Sequence, residues 1–197
     1  MSLLTADGLR ARLTRPTDPI ESAEQVEHQL DGLAAAVLVP IILEPAPRIL
    51  LTRRADHLRQ HGGQVSFPGG RIDPTDLSPE SAALREAWEE VGLDPGAVEI
   101  IGRLPLHETG TGFLVTPVIG LVPPGIALKP EASEVAALLS LPVSILLDPE
   151  QPQRRRMKLP GSENWRDIYV WPHDDHYIWG ATAAILLSLA RRLRGEA

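Results

Sequence analysis

Apolar residues follow two rhythms along this chain, and the changes of rhythm predict where strands give way to helices. From Ala34 to Leu43 and from Arg48 to Arg53 the chain is apolar and in part β-branched, with Glu44-Pro45-Ala46-Pro47 between the runs. Two such runs around a Pro-rich turn predict a β-hairpin. Residues Asp56 to Pro74 hold Gly62, Gly63, Gly69 and Gly70 with Pro68 and Pro74, a composition that excludes a regular helix and predicts a long loop. A helix follows. Ser78 can cap it, Pro79 suits its first position and Gly92 ends it, with Ala82, Ala83, Leu84, Ala87, Trp88 and Val91 as its apolar positions.

Further on, Val98 to Leu104, Leu114 to Val122 and Val135 to Leu141 read as strands, and Val143 to Leu147 as a short helix after Pro142. Arg154 to Leu159 and Asp167 to Trp171 predict a last hairpin. Ile178 to Leu193 predicts an apolar closing helix, whose Arg191, Arg192 and Arg194 suit the negative end of its dipole. Upstream, Leu9 to Leu13 reads as a short amphipathic helix and Ser22 to Leu33 as helical or irregular. The expectation is a mixed sheet with helices, an α/β fold of one folding unit. Residues 1–33 form an N-terminal extension to a domain at 34–197.

Composition narrows the class. A length of 197 residues with 43% hydrophobic positions supports a single core. The longest apolar run, Leu33 to Leu43, is broken by Pro40 and is far shorter than a membrane span. Met1 to Arg15 carries Asp7, Arg10 and Arg12 and lacks a secretory pattern. With no cysteine there is no disulfide, thiolate metal site or cysteine nucleophile, and the cytoplasm is the expected compartment. A net charge of −7 argues against a nucleic-acid binder. The basic run Arg154-Arg155-Arg156-Met157-Lys158 reads first as a solvated face and second as a local anion contact.

One cluster asks for chemistry. Glu86, Glu89 and Glu90 stand at i, i+3 and i+4, so they share a helix face and repel one another. They also occupy the last turns before Gly92, where the dipole disfavours each carboxylate by about 0.3 to 1 kcal/mol. A solvated acidic face, softened by Arg85 pairing with Glu89, is the plain reading. The loop Phe67-Pro68-Gly69-Gly70 just upstream changes it, because unhindered backbone there can approach a metal or a phosphate. A hard divalent cation, Mg²⁺ or Mn²⁺, would reverse the sign of the cluster and suit phosphoryl chemistry. Trp88 and Trp179 could stack a base, but core packing is the expected use of both.

These residues resemble the Nudix hydrolase signature, G-x5-E-x7-R-E-U-x-E-E-x-G-U, with U a bulky apolar residue. Arg85-Glu86-Ala87-Trp88-Glu89-Glu90-Val91-Gly92-Leu93 matches its second half apart from the small Ala87. The first half departs: Asp76 stands where a glutamate is expected, and eight residues rather than seven separate it from Arg85. Asp76 is therefore left out of the core site. A coenzyme A-hydrolysing branch of the family shows a similar insertion after an Asp-Pro-x-Asp run, here Asp73-Pro74-Thr75-Asp76. Its further signature, L-L-T-x-R-[SA]-x3-R-x3-G-x3-F-P-G-G, is similar to this chain at Leu50, Leu51, Thr52, Arg54, Ala55, Arg59, Gly63, Phe67, Pro68, Gly69 and Gly70.

The resemblance implies an α/β/α sandwich and hydrolysis of coenzyme A, or its acyl or oxidised forms, to 3′,5′-ADP and 4′-phosphopantetheine. It implies that Glu86, Glu89 and Glu90 bind Mg²⁺ or Mn²⁺, with the Gly69 or Gly70 carbonyl (Gly70 first) completing the set, and that Arg85 holds a glutamate in place. Glu86 or Glu134 is the general base. Arg54, Arg59, Gly69 and His61 are the expected substrate contacts, the substrate being a small molecule. A homodimer through the closing helix is conceivable from the family, as is that helix simply finishing the core. The rival readings are hydrolysis of another nucleoside diphosphate derivative such as ADP-ribose or a dinucleotide, a retired domain that binds a nucleotide as a sensor, and a nucleic-acid-binding module.

Overall fold

The computed structural model describes residues 4–14, 33–58, 61–158, 165–174 and 176–196. Its spine is a pair of long parallel strands, β1 (Leu33–Ile42) and β7 (Phe113–Val122), in register from Leu33 opposite Phe113 to Ile42 opposite Val122. Parallel neighbours far apart in sequence need cover on both faces, and the side-chain alternation supplies it. In β1, Ala35, Val39 and Ile41 face one apolar cluster while Ala36 and Leu38 face another. In β7, Val115, Ile119 and Leu121 join the first cluster and Val118 and Val122 the second.

The other strands extend this spine. β2 (Arg48–Arg54) turns back on β1 only at Ile41–Ile49 and Ile42–Arg48, so the predicted hairpin is real but splays. β1 then pairs antiparallel with β4 (Gly69–Arg71), and β2 pairs with β3 (Val65–Ser66) and β8 (Val135–Pro142). β5 (Glu99–Arg103) and β6 (His107–Glu108) flank β7. The stretch expected as pure loop from Asp56 to Pro74 thus carries two short strands.

Helix α2 (Pro79–Val91) covers one face through Ala82, Ala83, Ala87 and Val91. The other face is covered by α1 (Ala6–Leu13) and α3 (Gly180–Arg194), with Leu9, Leu13, Leu186, Leu189 and Leu193 fully buried. The result is the expected α/β/α sandwich. A separate sheet of β9 (Gln153–Lys158), β10 (Trp165–His173) and β11 (His176–Ile178) precedes α3. Ile178, expected to start the closing helix, ends β11 instead, and Trp179 sits at the N-cap. Val143–Leu147 is a 3₁₀ turn. The expectation for Ser22 to Leu33 lies outside the described residues apart from Leu33, which opens β1. Among the described residues no helix is long and apolar enough to cross a membrane.

Candidate active site

Helix α2 forms where its ends are satisfied. The Ser78 hydroxyl accepts from the Ser81 amide at 3.2 Å, and the Ser81 hydroxyl accepts from the Ser78 amide at 2.9 Å, a closed capping box ahead of Pro79. Gly92 ends it in the left-handed conformation, φ 66°. The last carbonyls are taken up by the loop between β7 and β8: the Lys129 amide donates to Val91 O at 2.8 Å and the Glu131 amide to Glu90 O at 2.9 Å. Two more bonds hold Glu134 itself. Its amide donates to Glu131 O at 2.9 Å, and its carbonyl accepts from the Ala55 amide at 2.8 Å. Residues far apart in sequence are thereby tied to one helix end.

With the alanines on the sheet, the glutamates look along its flank toward β4. There the contact is close. A Cβ on Gly70 would lie 2.6 Å from the Glu86 carboxylate, and one on Gly69 would lie 2.5 Å from Ala36 O. The Leu38 amide donates to Pro68 O and the Ile72 amide to Ala34 O. Alternation in an antiparallel ladder then gives Gly70, opposite Ala36, to the β1 hydrogen bonds, and turns the amide and carbonyl of Gly69 away from β1. The Gly69 amide accordingly reaches Glu90.

Burial sets the electrostatics. Glu90 is 5% exposed, and burial pushes its carboxyl up to about 7, with Glu86 and Glu134 adding repulsion against the pull of Arg54 and the Gly69 amide. The Arg54 Nη1 lies 3.8 Å from Glu90 Oε1, while its Nε is buried with no hydrogen-bond partner. Burial likewise raises Glu86, with Glu89 and Glu134 adding to it and Arg85 opposing. Arg85 is the hub of the other side. Its Nη1 donates to Glu86 at 2.9 Å and Glu89 at 3.2 Å, and its Nη2 to Arg71 O at 3.1 Å.

Sequence reasoning missed what fixes that hub. Asp76 takes Arg85 Nε at 3.2 Å and Nη2 at 3.0 Å in a two-pronged pair, which holds the Asp76 carboxyl below its ordinary range. Left out of the core site in the sequence reading, Asp76 braces the arginine that orients two of the glutamates. The Asp73-Pro74-Thr75-Asp76 turn just before Ser78 was the available signal, and the Asp73 amide donates to Asp76 at 2.8 Å across it.

The structure therefore gathers Glu86, Glu90, Glu134, Arg54, Gly69 and Gly70, with Glu89 and Arg85 on the outer side. Glu89 is exposed and drawn to Arg85. His61 stands apart, its Nδ1 2.9 Å from Gln64 Oε1 in the turn before β3. Arg59 lies outside the described residues. Trp88 corrects an expectation: it is 55% exposed, on the face of α2 turned away from the buried alanines. The buried tryptophan is Trp171, whose indole donates to Ala183 O at 3.1 Å.

As the side chains lie, no three His, Asp or Glu residues among those described converge as a metal cage; arginines hold the glutamates instead. The donor set nevertheless fits a hard divalent cation: a buried carboxylate short of positive charge, a second one against a glycine whose side chain would fill the gap, and an outward backbone oxygen.

Comparison with known proteins bears directly on this arrangement. The NUDIX domain family model matches residues 32–158. The chain is 40% identical over 195 residues to an uncharacterized Nudix hydrolase, NudL, of Salmonella heidelberg (strain SL476), covering 98% of this chain and 96% of that protein. The same relative in Salmonella paratyphi B (strain ATCC BAA-1250 / SPB7) gives the same identity and coverage. Among solved structures, the Nudix hydrolase RenU of M. smegmatis is 27% identical, with a TM-score of 0.49 over 57% of this chain and 71% of that one. The matched family segment contains every glutamate of the cluster, and the NudL relatives extend the likeness across nearly the whole length, so the chain belongs to the Nudix hydrolase family.

Proposed function

We propose that this Nudix hydrolase cleaves the diphosphate bond of coenzyme A or a derivative of it, releasing 3′,5′-ADP and 4′-phosphopantetheine. The observation that carries the hydrolytic reading is Glu90, a nearly buried carboxylate flanked by Glu86 and Arg54. The substrate reading rests on the signature from Leu50 to Gly70 and on the Asp73 to Asp76 insertion. The fold gives that signature a physical purpose. Thr52 is buried with its hydroxyl 3.1 Å from that of Ser66, Arg54 reaches Glu90, Ala55 holds Glu134, and the Gly63 amide donates to Arg54 O at 3.1 Å. The position of Arg54, Ala55, Gly69 and Gly70 beside the glutamates supports this reading.

Glu86, Glu89 and Glu90 would hold Mg²⁺ or Mn²⁺, and of the two carbonyls expected to complete the set the ladder alternation favours Gly69 over Gly70. A bound ion of this kind neutralises the diphosphate and lowers the pKa of a water. Arg54, whose guanidinium lies beside Glu90 and is partly exposed, pairs with the diphosphate. Glu86 or Glu134 accepts the proton as the water oxygen bonds to one phosphorus and the bridging P–O bond breaks, the leaving phosphate keeping the electron pair. Arg85 and Asp76 keep Glu86 and Glu89 in position.

Incubation with Mg²⁺ or Mn²⁺ and a panel of coenzyme A, ADP-ribose, NADH and diadenosine polyphosphates, with products identified by mass, tests this. Turnover of coenzyme A to 3′,5′-ADP is the expected result. Intact coenzyme A beside rapid turnover of another substrate would overturn the substrate.

A further inference from the structure

The basic run Arg154-Arg155-Arg156-Met157-Lys158 takes no part in the site described so far. It forms β9, whose antiparallel partner β10 sets Lys158 opposite Trp165, Arg156 opposite Asp167 and Arg154 opposite Tyr169. Directly opposed residues share a face, and residues two apart along a strand do too. That face therefore sets Lys158, Arg156 and Arg154 along one strand against Trp165, Asp167 and Tyr169 along the other, two rings with one carboxylate between them. Trp165 and Tyr169 are both exposed, at 57% and 44%. Arg154 is spent on Asp167 at 3.2 Å, while the guanidinium of Arg156 has no ion-pair or hydrogen-bond partner among the described residues. On a chain of net charge −7, this concentrates positive charge beside exposed rings.

The hairpin is rooted on α3 and, through β11, on β3, the strand that pairs with β2. Along the same face, Trp171 is buried and fixed to Ala183, and β11 lies against β3. The Thr182 hydroxyl donates to Val65 O at 3.0 Å, and Val65 is paired with Arg53, the neighbour of Arg54.

We propose that this face holds the 3′-phosphorylated adenosine end of the substrate, with the base stacked on Trp165 and the 3′-phosphate paired with Arg156 and Lys158. The inference rests on the coenzyme A reading above. A flat indole offers a base its face at little entropic cost, and a guanidinium without a carboxylate partner is suited to a phosphate. Trp165 and Tyr169 lie roughly 13 Å apart at strand spacing, room for one nucleotide and not for a tracked polymer, which the acidic remainder of the chain would repel.

Two measurements test it. Titration of the protein with 3′,5′-ADP should quench tryptophan fluorescence, and Trp165→Ala should abolish that quench. Arg156→Ala should weaken 3′,5′-ADP binding about tenfold relative to 5′-AMP, and lower the kcat/KM preference for coenzyme A over its 3′-dephospho form by a similar factor. An unchanged preference in Arg156→Ala, in a protein that does hydrolyse coenzyme A, would overturn the proposal and leave the reaction standing. If coenzyme A is not hydrolysed at all, the substrate reading fails, and the 3′,5′-ADP titration decides the patch alone. Tighter binding of single-stranded DNA than of 3′,5′-ADP, or self-association lost in Trp165→Ala with 3′,5′-ADP binding intact, would also overturn it.

Discussion

Glu90 and Asp76 show how much one carboxylate's surroundings decide. Burial raises Glu90 from the usual 4.5 to about 7, so folding the metal-free chain with Glu90 ionised is unfavourable. The sign follows directly: both states are protonated below about 4.5, the folded state alone holds the proton between about 4.5 and 7, and the destabilisation is complete above 7. At 1.36 kcal/mol per unit, stability falls by about 3 kcal/mol across that window. Urea melts in a chelator at pH 5 and pH 8 should show this fall, and Glu90→Gln should remove most of it. Equal pH slopes in the two proteins would contradict it. Glu90→Gln should also reduce turnover by orders of magnitude in Mg²⁺. Asp76 works through Arg85 rather than at the diphosphate. Asp76→Ala is expected to lower kcat about 10- to 100-fold. The near-conservative Asp76→Glu should recover part of that loss if bracing of Arg85 is the reason.

Strand β4 and helix α2 meet across two glycines, and this contact belongs to the elements rather than to any one side chain. Gly70→Ala would place a Cβ 2.6 Å from the Glu86 carboxylate, the far end of a side chain that can swing aside. The fold should survive, with a Tm within a few degrees of the parent, while displacement of Glu86 costs about 10²-fold in kcat. A fully active Gly70→Ala would show that Glu86 need not stand where it does. The helix half of this contact was legible in the sequence, because Ser78, Pro79 and Gly92 are local signals that act on their own neighbours. The strand half was not. Gly69–Arg71 has no strand propensity and pairs only because β1 is already in place beside it. The exposure of Trp88 and the burial of Trp171 were hidden for the same reason, since both depend on which distant elements come to lie over them. The cluster of Glu86, Glu89 and Glu90 was readable from helical spacing, whereas the support of Glu134 by Ala55 and of Arg85 by Asp76 required tertiary contacts.

The whole molecule is larger than the part the family model matches. Residues 32–158 exclude both α1 and α3, yet Leu9 and Leu13 are fully buried in the same cluster as Val39, Ile119 and Leu189. Polar contacts seal this packing: Arg10 forms a two-pronged pair with Glu99 at 2.9 and 2.8 Å, and Arg192 Nη1 donates to Arg103 O at 2.8 Å. Without these helices one face of β1 and β7 would meet water, which a parallel pair does not tolerate. A fragment of residues 32–158 should therefore fail to give a cooperative unfolding transition although it contains every glutamate of the site. Within the full chain, Leu9→Ala and Leu13→Ala should each cost about 2 to 5 kcal/mol by leaving cavities against α3. Because α1 packs on α3 and β5 rather than on the glutamate-bearing helix, kcat measured well below the lowered Tm should stay within about twofold of the parent. Destabilisation under about 1 kcal/mol for both would mean that α1 is a loosely docked arm and that the sheet's second face is completed by α3 alone.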